Sequence, residues 1–443
     1  MESRRTAQTH EKSLILSVVN KSLLSYALPS IAGMLIVGFQ TIIDGLFVGQ
    51  GVGAVGLAAV NISMPLISSM LSVIIMIVSG GVVITGIAKG NNDQQKVKGY
   101  TTLTLAILLA SVALMSLTVG LFLDKICLLL GSNDEVFPYV KTYMGIIGCG
   151  FIFYCIPYFT EAFTRLVGRP KMVFVSGFIC FAVNIVLDWI FVMRLGWGVK
   201  GAAIATCIAN SSAALVLLPN VQFGRLAGGW HEICKIFYNG SSEMLTSVSA
   251  AVTTFIFNIV IMRQLGTTGV AAFTIVCYLN FIVNMSIFGL SQAMYPLISY
   301  QLGARNSKNI KSLFRSALLI GGSIGIGVYL LVLIFKHPIA AAFSGNDVTL
   351  YEITLVATNY ITLHYLFSFI NIVCGSFHTA VQRPAESVVI ALCRSIVFVL
   401  AAMFVLTRFI GTLGIWLSMP VAEVATLLVS LPLTANTIKI KLK

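Results

Sequence analysis

An ionised carboxylate inside a membrane-crossing helix is costly enough to need a reason. This chain has 15 acids, and a few of them fall within long apolar runs: Asp44, Glu161, Asp188 and Glu423, with Glu243 and Glu352 nearer the run ends. Two of these acids have polar company in step. Gln40 lies one helical turn before Asp44, and Asn184 lies one turn before Asp188, so each pair shares a helix face. Thr206 follows on the next predicted helix, in Gly201-Ala202-Ala203-Ile204-Ala205-Thr206. Two carboxylates, an amide oxygen, a hydroxyl and a backbone carbonyl make an oxygen cage of the kind a hard cation such as Na⁺ takes. The same two acids could instead share a proton, because crowded carboxylates resist being ionised together. The structural alternative is that each acid simply hydrogen-bonds a neighbouring helix.

The remaining candidates have simpler alternatives beside them. Glu161 precedes Arg165 by four residues, which reads as an intrahelical ion pair or as a gating or substrate-recognition group. Glu423 stands alone in the last apolar run, for substrate contact or for helix packing. Glu243 follows Ser241-Ser242 at a predicted helix start, where the positive end of the helix dipole favours a carboxylate. His364 and His378 lack partners at metal-ligand spacing. The nine Cys contain no CxxC pair and read as small packing residues. Pro29, Pro65, Pro157 and Pro296 interrupt apolar runs, where proline bends a helix and frees carbonyls. Some of the 28 Phe and 15 Met suit a forgiving apolar chamber.

The elements that must hold these groups are transmembrane helices. The chain has 443 residues, 58% hydrophobic and 10% charged, more apolar surface than a soluble domain hides. Tyr100–Leu123 and Ser22–Ile43 carry no ionisable acid or base, and about 20 such residues cross the hydrocarbon core. Without the alternation of barrel strands, helices are what remain. Twelve spans are predicted, near 22–48, 55–88, 99–123, 136–164, 171–193, 199–222, 237–262, 268–301, 313–335, 349–379, 386–407 and 412–436. The run Gly45–Ala88 is uncharged and needs a turn, which Gly49-Gln50-Gly51-Val52-Gly53 supplies. The fold class is therefore an all-α membrane protein.

The net charge of +13 would suggest nucleic acid in a soluble protein; here cytoplasmic loops collecting Lys and Arg explain it. With the N-terminus inside, twenty of the 28 cationic residues fall on the cytoplasmic side, Arg4, Arg5, Lys12, Lys21 and Lys443 among them. Arg394 is expected near the inner end of its helix, where it can snorkel. A multi-pass protein of the cell membrane follows, with both termini cytoplasmic and no cleavable leader, functional as a monomer and with no nucleic-acid partner.

The chain is also written twice. A shift of 213 residues lays Gly56 on Gly269, Gly90 on Gly303, Asn133-Asp134 on Asn346-Asp347 and Gly201 on Gly414; Arg169-Pro170 falls on Arg383-Pro384 with one residue of slack. Residues 1–222 and 236–443 are then two six-helix lobes of like orientation, joined by a cytoplasmic linker at 223–235 and flanking a central cleft. The positions matching Asp44, Asn184, Asp188 and Thr206 are Phe257, Val397, Ala401 or Ala402, and Met419, all apolar. That asymmetry favours a single coupling site, in the first lobe. No GxxxxGK[ST] motif occurs, so ATP is not the direct energy source on this chain. No nucleophile–base constellation points to an enzyme, and no cofactor is called for.

Ile43-Asp44-Gly45-Leu46-Phe47-Val48-Gly49, Gly168-Arg169-Pro170, Asn184-Ile185-Val186-Leu187-Asp188 and Gly201-Ala202-Ala203-Ile204-Ala205-Thr206, on twelve spans in two lobes, resemble the MATE family, the multidrug and toxic compound extrusion transporters. The resemblance covers essentially the whole chain. It implies antiport, Na⁺ or H⁺ entering while a drug-like, often cationic compound leaves. It carries the family's cation site onto Asp44, Asn184, Asp188 and Thr206, with the Ala202 carbonyl as a further ligand, and a helix bend onto Pro29. One branch uses an acid midway along the seventh span; Val252-Thr253-Thr254-Phe255-Ile256-Phe257 has none, so the chain resembles the branch with its acids in the first lobe. Rival readings are a flippase for a lipid-linked precursor, for which Arg394 would be a basic cavity residue, and a cation channel.

Overall fold

The structure, a computed structural model, describes residues 2–344 and 347–441, with side chains from residue 23 onward apart from residue 54. Asn346 and Lys443, and the side chains of Arg4, Arg5, Lys12 and Lys21, lie outside the described residues. The elements are α1 (Glu2–Val52), α2 (Ala54–Gly90), α3 (Gln94–Leu129), α4 (Phe137–Cys149), α5 (Ile152–Val167), α6 (Pro170–Asp188), α7 (Gly198–Leu217), α8 (Trp230–Gly303), α9 (Ser307–Ser344), α10 (Val348–Ile361), α11 (Tyr365–Ala380), α12 (Pro384–Leu392), α13 (Phe398–Ile410) and α14 (Leu413–Lys441). Among the described residues there is no strand, as backbone in lipid requires when no barrel closes.

Ten of these segments are long and apolar enough to cross a membrane, and α4 with α5, bent by 44° at their junction, adds an eleventh. The 74-residue α8 breaks at Gly266, with φ 66° and ψ −160°, and so counts as two spans. Twelve crossings result, matching the sequence expectation. Pro29 lies inside α1, which runs helical through it.

The repeat is visible in the backbone. Gly53 turns between α1 and α2 at φ 83°, and Gly266, 213 residues on, breaks α8 at φ 66°. Asn92 and Arg305, and Gly198 and Gly411, are further positive-φ pairs at the same spacing, and Gly168 matches Gln382 with one residue of slack. Gly201 and Gly414 also correspond. A Cβ on Gly201 would meet the Phe191 backbone at 3.0 Å, and one on Gly414 the Leu406 backbone at 2.4 Å. Each glycine lets a helix pack against the end of its predecessor.

The residues group into two compact units, Leu28–Gly240 and Met1–Ala27 with Ser241–Lys443. The divisions fall inside α1 and inside α8, whereas the expected boundary was the linker at 223–235. The reason is local packing. Residues 221–229 are irregular, but helix resumes at Trp230. The stretch is also tied to α3, since Thr102 Oγ1 lies 3.0 Å from Gly224 O and 3.1 Å from Gly224 N. The start of α8 then crosses α2 at glycines. A Cβ on Gly240 would lie 1.8 Å from Met76 O, and one on Gly80 2.0 Å from Ile236 O, so the two backbones touch as small residues allow in membranes.

Candidate functional site

Three helices of the first unit present polar residues at i, i+4 spacing. On α1 these are Gln40 and Asp44; on α6, Cys180, Asn184 and Asp188; on α7, Ala202, Thr206 and Asn210. The spacing keeps each set on one stripe. Asn184 and Asp188 are completely buried, Thr206 and Gln40 nearly so, and Asp44 is half-buried. Directly after Asp188 the helix widens into a π turn, Trp189–Arg194, a feature often found at functional positions. The turn is anchored by Phe191 stacked on Trp197 at 4.9 Å and by Arg194 over the Trp189 ring at 4.8 Å, an aromatic–cationic belt suited to the membrane interface.

The structure brings the two acids together. The Asp44 and Asp188 carboxyl groups lie within hydrogen-bond reach of each other if one carries a proton. Tyr143 on α4 lies close enough to feel both charges, and Tyr154 on α5 that of Asp44. Cys180 Sγ sits 3.8 Å from Gln40 Oε1 and 3.7 Å from Asn210 Oδ1, linking the three stripes below the acids. Thr206 Oγ1 donates to Ala202 O at 2.9 Å, so the expected hydroxyl and carbonyl ligands are already joined to each other, each with lone pairs to spare.

What distinguishes this cluster is unmet polarity. Asp44 Oδ1, both amide atoms of Asn184 and both carboxylate oxygens of Asp188 are buried without a hydrogen-bond partner among the described residues. Buried polar groups are ordinarily paired, and an unpaired buried carboxylate is among the costliest. The donor set is oxygen-rich and anionic, so a monovalent hard cation or a proton fits it. Among the described residues there is no group of three or more His, Cys, Asp or Glu that could hold a metal ion. Tyr143, Cys180 and Asn210 were not singled out in the sequence; continuing the i, i+4 steps from Asn184 back to Cys180 and from Thr206 on to Asn210 would have found the latter two. A cavity of about 200 Å³ at the end of α2, lined by Lys89, Gln94, Thr101, Phe163 and Gln222 among others, shares none of these residues.

The other candidates prove to be engaged. Arg165 Nη2 lies 3.1 Å from Glu161 Oε2, with the arginine side chain 3% exposed; Glu161 is spent on a buried intrahelical pair. Glu243 is no helix cap, because α8 already begins at Trp230; its Oε1 accepts the Tyr295 hydroxyl proton. Glu423 does not stand alone. Its Oε1 receives Arg394 Nη2 at 2.7 Å and Nε at 3.1 Å, and its Oε2 receives Asn371 Nδ2 at 2.7 Å. Arg394 therefore turns inward, from a second π turn at Cys393–Val397, rather than snorkelling outward. His364 and His378 are buried, the first against Ile361 O and the second against Thr434 Oγ1.

At the repeat positions matching the acid cluster the second unit carries only apolar side chains. Phe257 is fully buried and stacked on Phe273 at 5.3 Å, in a core with Val399, Met403, Trp416 and Ala422, and Met419 packs against it. Val397 is exposed, and Ala402 is buried.

Twelve membrane-crossing helices in two repeated units, one holding a buried unsatisfied acid pair, define a membrane transport protein. The chain belongs to the MatE family, whose model matches residues 29–190 and 237–414, and this places it among transporters rather than enzymes. It is similar to the multidrug export protein MepA of Staphylococcus aureus, 21% identical over 92% of this chain and 91% of that one. The MepA of Staphylococcus haemolyticus is 23% identical over the same shares. Among solved structures, the Vibrio cholerae MATE transporter VcmN in its bent form superposes with a TM-score of 0.91 at 20% identity, covering 97% of this chain and 99% of that one.

Proposed function

We propose that this protein is a secondary active multidrug exporter that expels drug-like, often cationic compounds in exchange for Na⁺ or H⁺ by alternating access. Family membership and two relatives named as multidrug export proteins support the cargo class. The observation that carries the coupling half is the orphaned set of Asp44, Asn184 and Asp188 oxygens. Such a set is stable only when something positive enters it, and it sits in one repeat only. Thr206 and the Ala202 carbonyl complete the proposed shell, and Pro29 is the proposed bend in α1. The excess of Lys and Arg in alternate loops supports cytoplasmic termini in a cell membrane. A flippase reading loses its basic residue, because Arg394 is neutralised by Glu423.

One charge returning through 100 mV releases about 2.3 kcal/mol, roughly a 50-fold concentration ratio for an uncharged cargo, whereas a singly cationic cargo leaving one-for-one moves no net charge and follows the ion's own concentration gradient. The test is substrate efflux from proteoliposomes under separately imposed Na⁺ and H⁺ gradients. One of the two gradients should drive efflux in wild type, and neither should in Asp44→Asn or Asp188→Asn. Full gradient-driven efflux in both variants would overturn the assignment.

A further inference from the structure

The repeat relates two polar contacts that look unrelated in sequence. Asn210 lies 213 residues before Glu423, and Cys180 lies 214 before Arg394, within the one-residue slack that Arg169-Pro170 and Arg383-Pro384 set on this helix. In the first unit this contact is neutral, Cys180 Sγ to Asn210 Oδ1 at 3.7 Å. In the second it is ionic, Arg394 Nη2 to Glu423 Oε1 at 2.7 Å. Gln40, which touches Cys180, corresponds to Thr253, and the Thr253 hydroxyl donates to Ser395 O beside Arg394. The same three-helix junction is thus built twice. The first unit keeps it neutral and places its acids one turn further along α1 and two turns further along α6. The second places an acid in the junction itself.

Glu423 is 5% exposed and has every carboxylate oxygen engaged. Asn371, which donates to it, is in turn held by the Ser430 hydroxyl at 2.6 Å. The charged or titratable groups facing Glu423 are Arg394 and His364. The guanidinium emerges from the π turn Cys393–Val397, where the wider backbone re-aims one side chain. A buried carboxylate needs a positive partner. Asp44 and Asp188 have none among the described residues; Glu423 has one fixed to the chain.

We propose that Arg394 is a tethered cation, holding permanently in the second unit the place that a mobile ion takes in the first, so that Glu423 with Asn371 is a cation site closed by the protein's own side chain. This rests on reading Asp44 and Asp188 as the mobile-ion site. The transporter then couples through one unit only, and removing the guanidinium opens a second site.

The experiment starts from purified full-length Asp44→Asn/Asp188→Asn protein. It measures retained ²²Na⁺ at alkaline pH and the infrared carbonyl band of protonated carboxylic acid. Adding Arg394→Met should raise bound cation, Na⁺ or proton, by about one per chain, and adding Glu423→Gln as well should abolish the gain. Arg394→Lys, which keeps the tethered charge, should show no gain. A folded Arg394→Met protein without gain, or a gain that survives Glu423→Gln, would overturn the proposal. So would failure of both Arg394→Met and Arg394→Met/Glu423→Gln to accumulate, since Arg394 would then be needed for packing; accumulation of the double variant alone supports it. If the starting protein itself still binds cation, the reading of Asp44 and Asp188 fails, and that is scored separately from the increment due to Arg394.

Discussion

Asp188 at the end of α6 is fully buried with both oxygens unpartnered, whereas Glu423 on α14 is almost as buried with every oxygen engaged. The two acids sit in units built on the same repeat, and burial alone does not separate them. What separates them is where the compensating charge comes from. Around Glu423 it is covalently part of the chain, 29 residues earlier on the preceding span. Around Asp44 and Asp188 no ion pair with a cationic side chain is found among the described residues, and on the proposed reading a positive charge arrives from outside. The counterpart of Asp44 in the second unit, Phe257, needs none, since it is stacked in an apolar core. On the proposed reading, a duplicated scaffold holds one open acid site and one closed by its own side chain, with the fold kept by glycines and apolar packing common to both.

The largest effect expected on this contrast is at Asp188. Asp188→Asn removes a charge that nothing in the protein balances, so the protein should fold at least as well as wild type. The gradient-driven cargo ratio should nonetheless fall to near unity, read in proteoliposomes under the same imposed gradient as wild type. Arg394→Met should act in the opposite way. It strands a buried carboxylate, with a stability loss of about 3–5 kcal/mol that Arg394→Met/Glu423→Gln largely recovers; denaturation in detergent monitors both. If the double variant is as unstable as the single, the pair serves shape rather than charge.

Packing changes should fall next. Gly240→Leu drives a side chain into Met76 O across the α2–α8 crossing, at a cost of about 1–3 kcal/mol, visible as a lower thermal midpoint. Gly80→Leu, facing Ile236 O on the same crossing, should match it. The smallest effect belongs to Asp93, the N-cap of α3, in the loop before the third span. The Lys96 backbone N–H, 3.0 Å from Asp93 Oδ1, and the Lys96 ammonium at 3.1 Å hold its carboxyl below the usual range. Because the folded value is depressed, its contribution is present at neutral pH and is lost only as pH falls below about 4. Thermal midpoints of wild type and Asp93→Asn should differ slightly at pH 7 and converge in acid.

Much of this was legible before any coordinates. Twelve spans followed from uncharged runs, because lipid leaves the backbone few choices. The 213-residue repeat followed from glycines, and the structure shows why those letters mark it. Gly53 and Gly266, and Gly198 and Gly411, sit at positive φ, and Gly201 and Gly414 sit against backbone, so the same geometry demands the same residue twice. The i, i+4 stripes placed Asp44 beside Gln40 and Asp188 beside Asn184 on their own helices, while the packing of α1 against α6 is not encoded by that spacing. Less legible were partners set by helix packing: Glu243 with Tyr295 across 52 residues, and Glu423 with both Arg394 and Asn371. No local spacing encodes these, so Glu423 looked solitary and Glu243 looked like a cap. The linker was also misleading in outline. Its polar composition suggested a tether through 235, yet α8 begins at Trp230 because Glu232 Oε2 accepts the Gly229 N–H at 2.9 Å and starts the helix.

The most direct measurement is cation occupancy of the purified protein, wild type against Asp44→Asn/Asp188→Asn. Retained ²²Na⁺ at alkaline pH and proton uptake on acidification are followed in parallel. Wild type should bind one monovalent cation or one shared proton that competes with cargo, and the double variant should bind neither. Undiminished occupancy in the double variant would contradict the account.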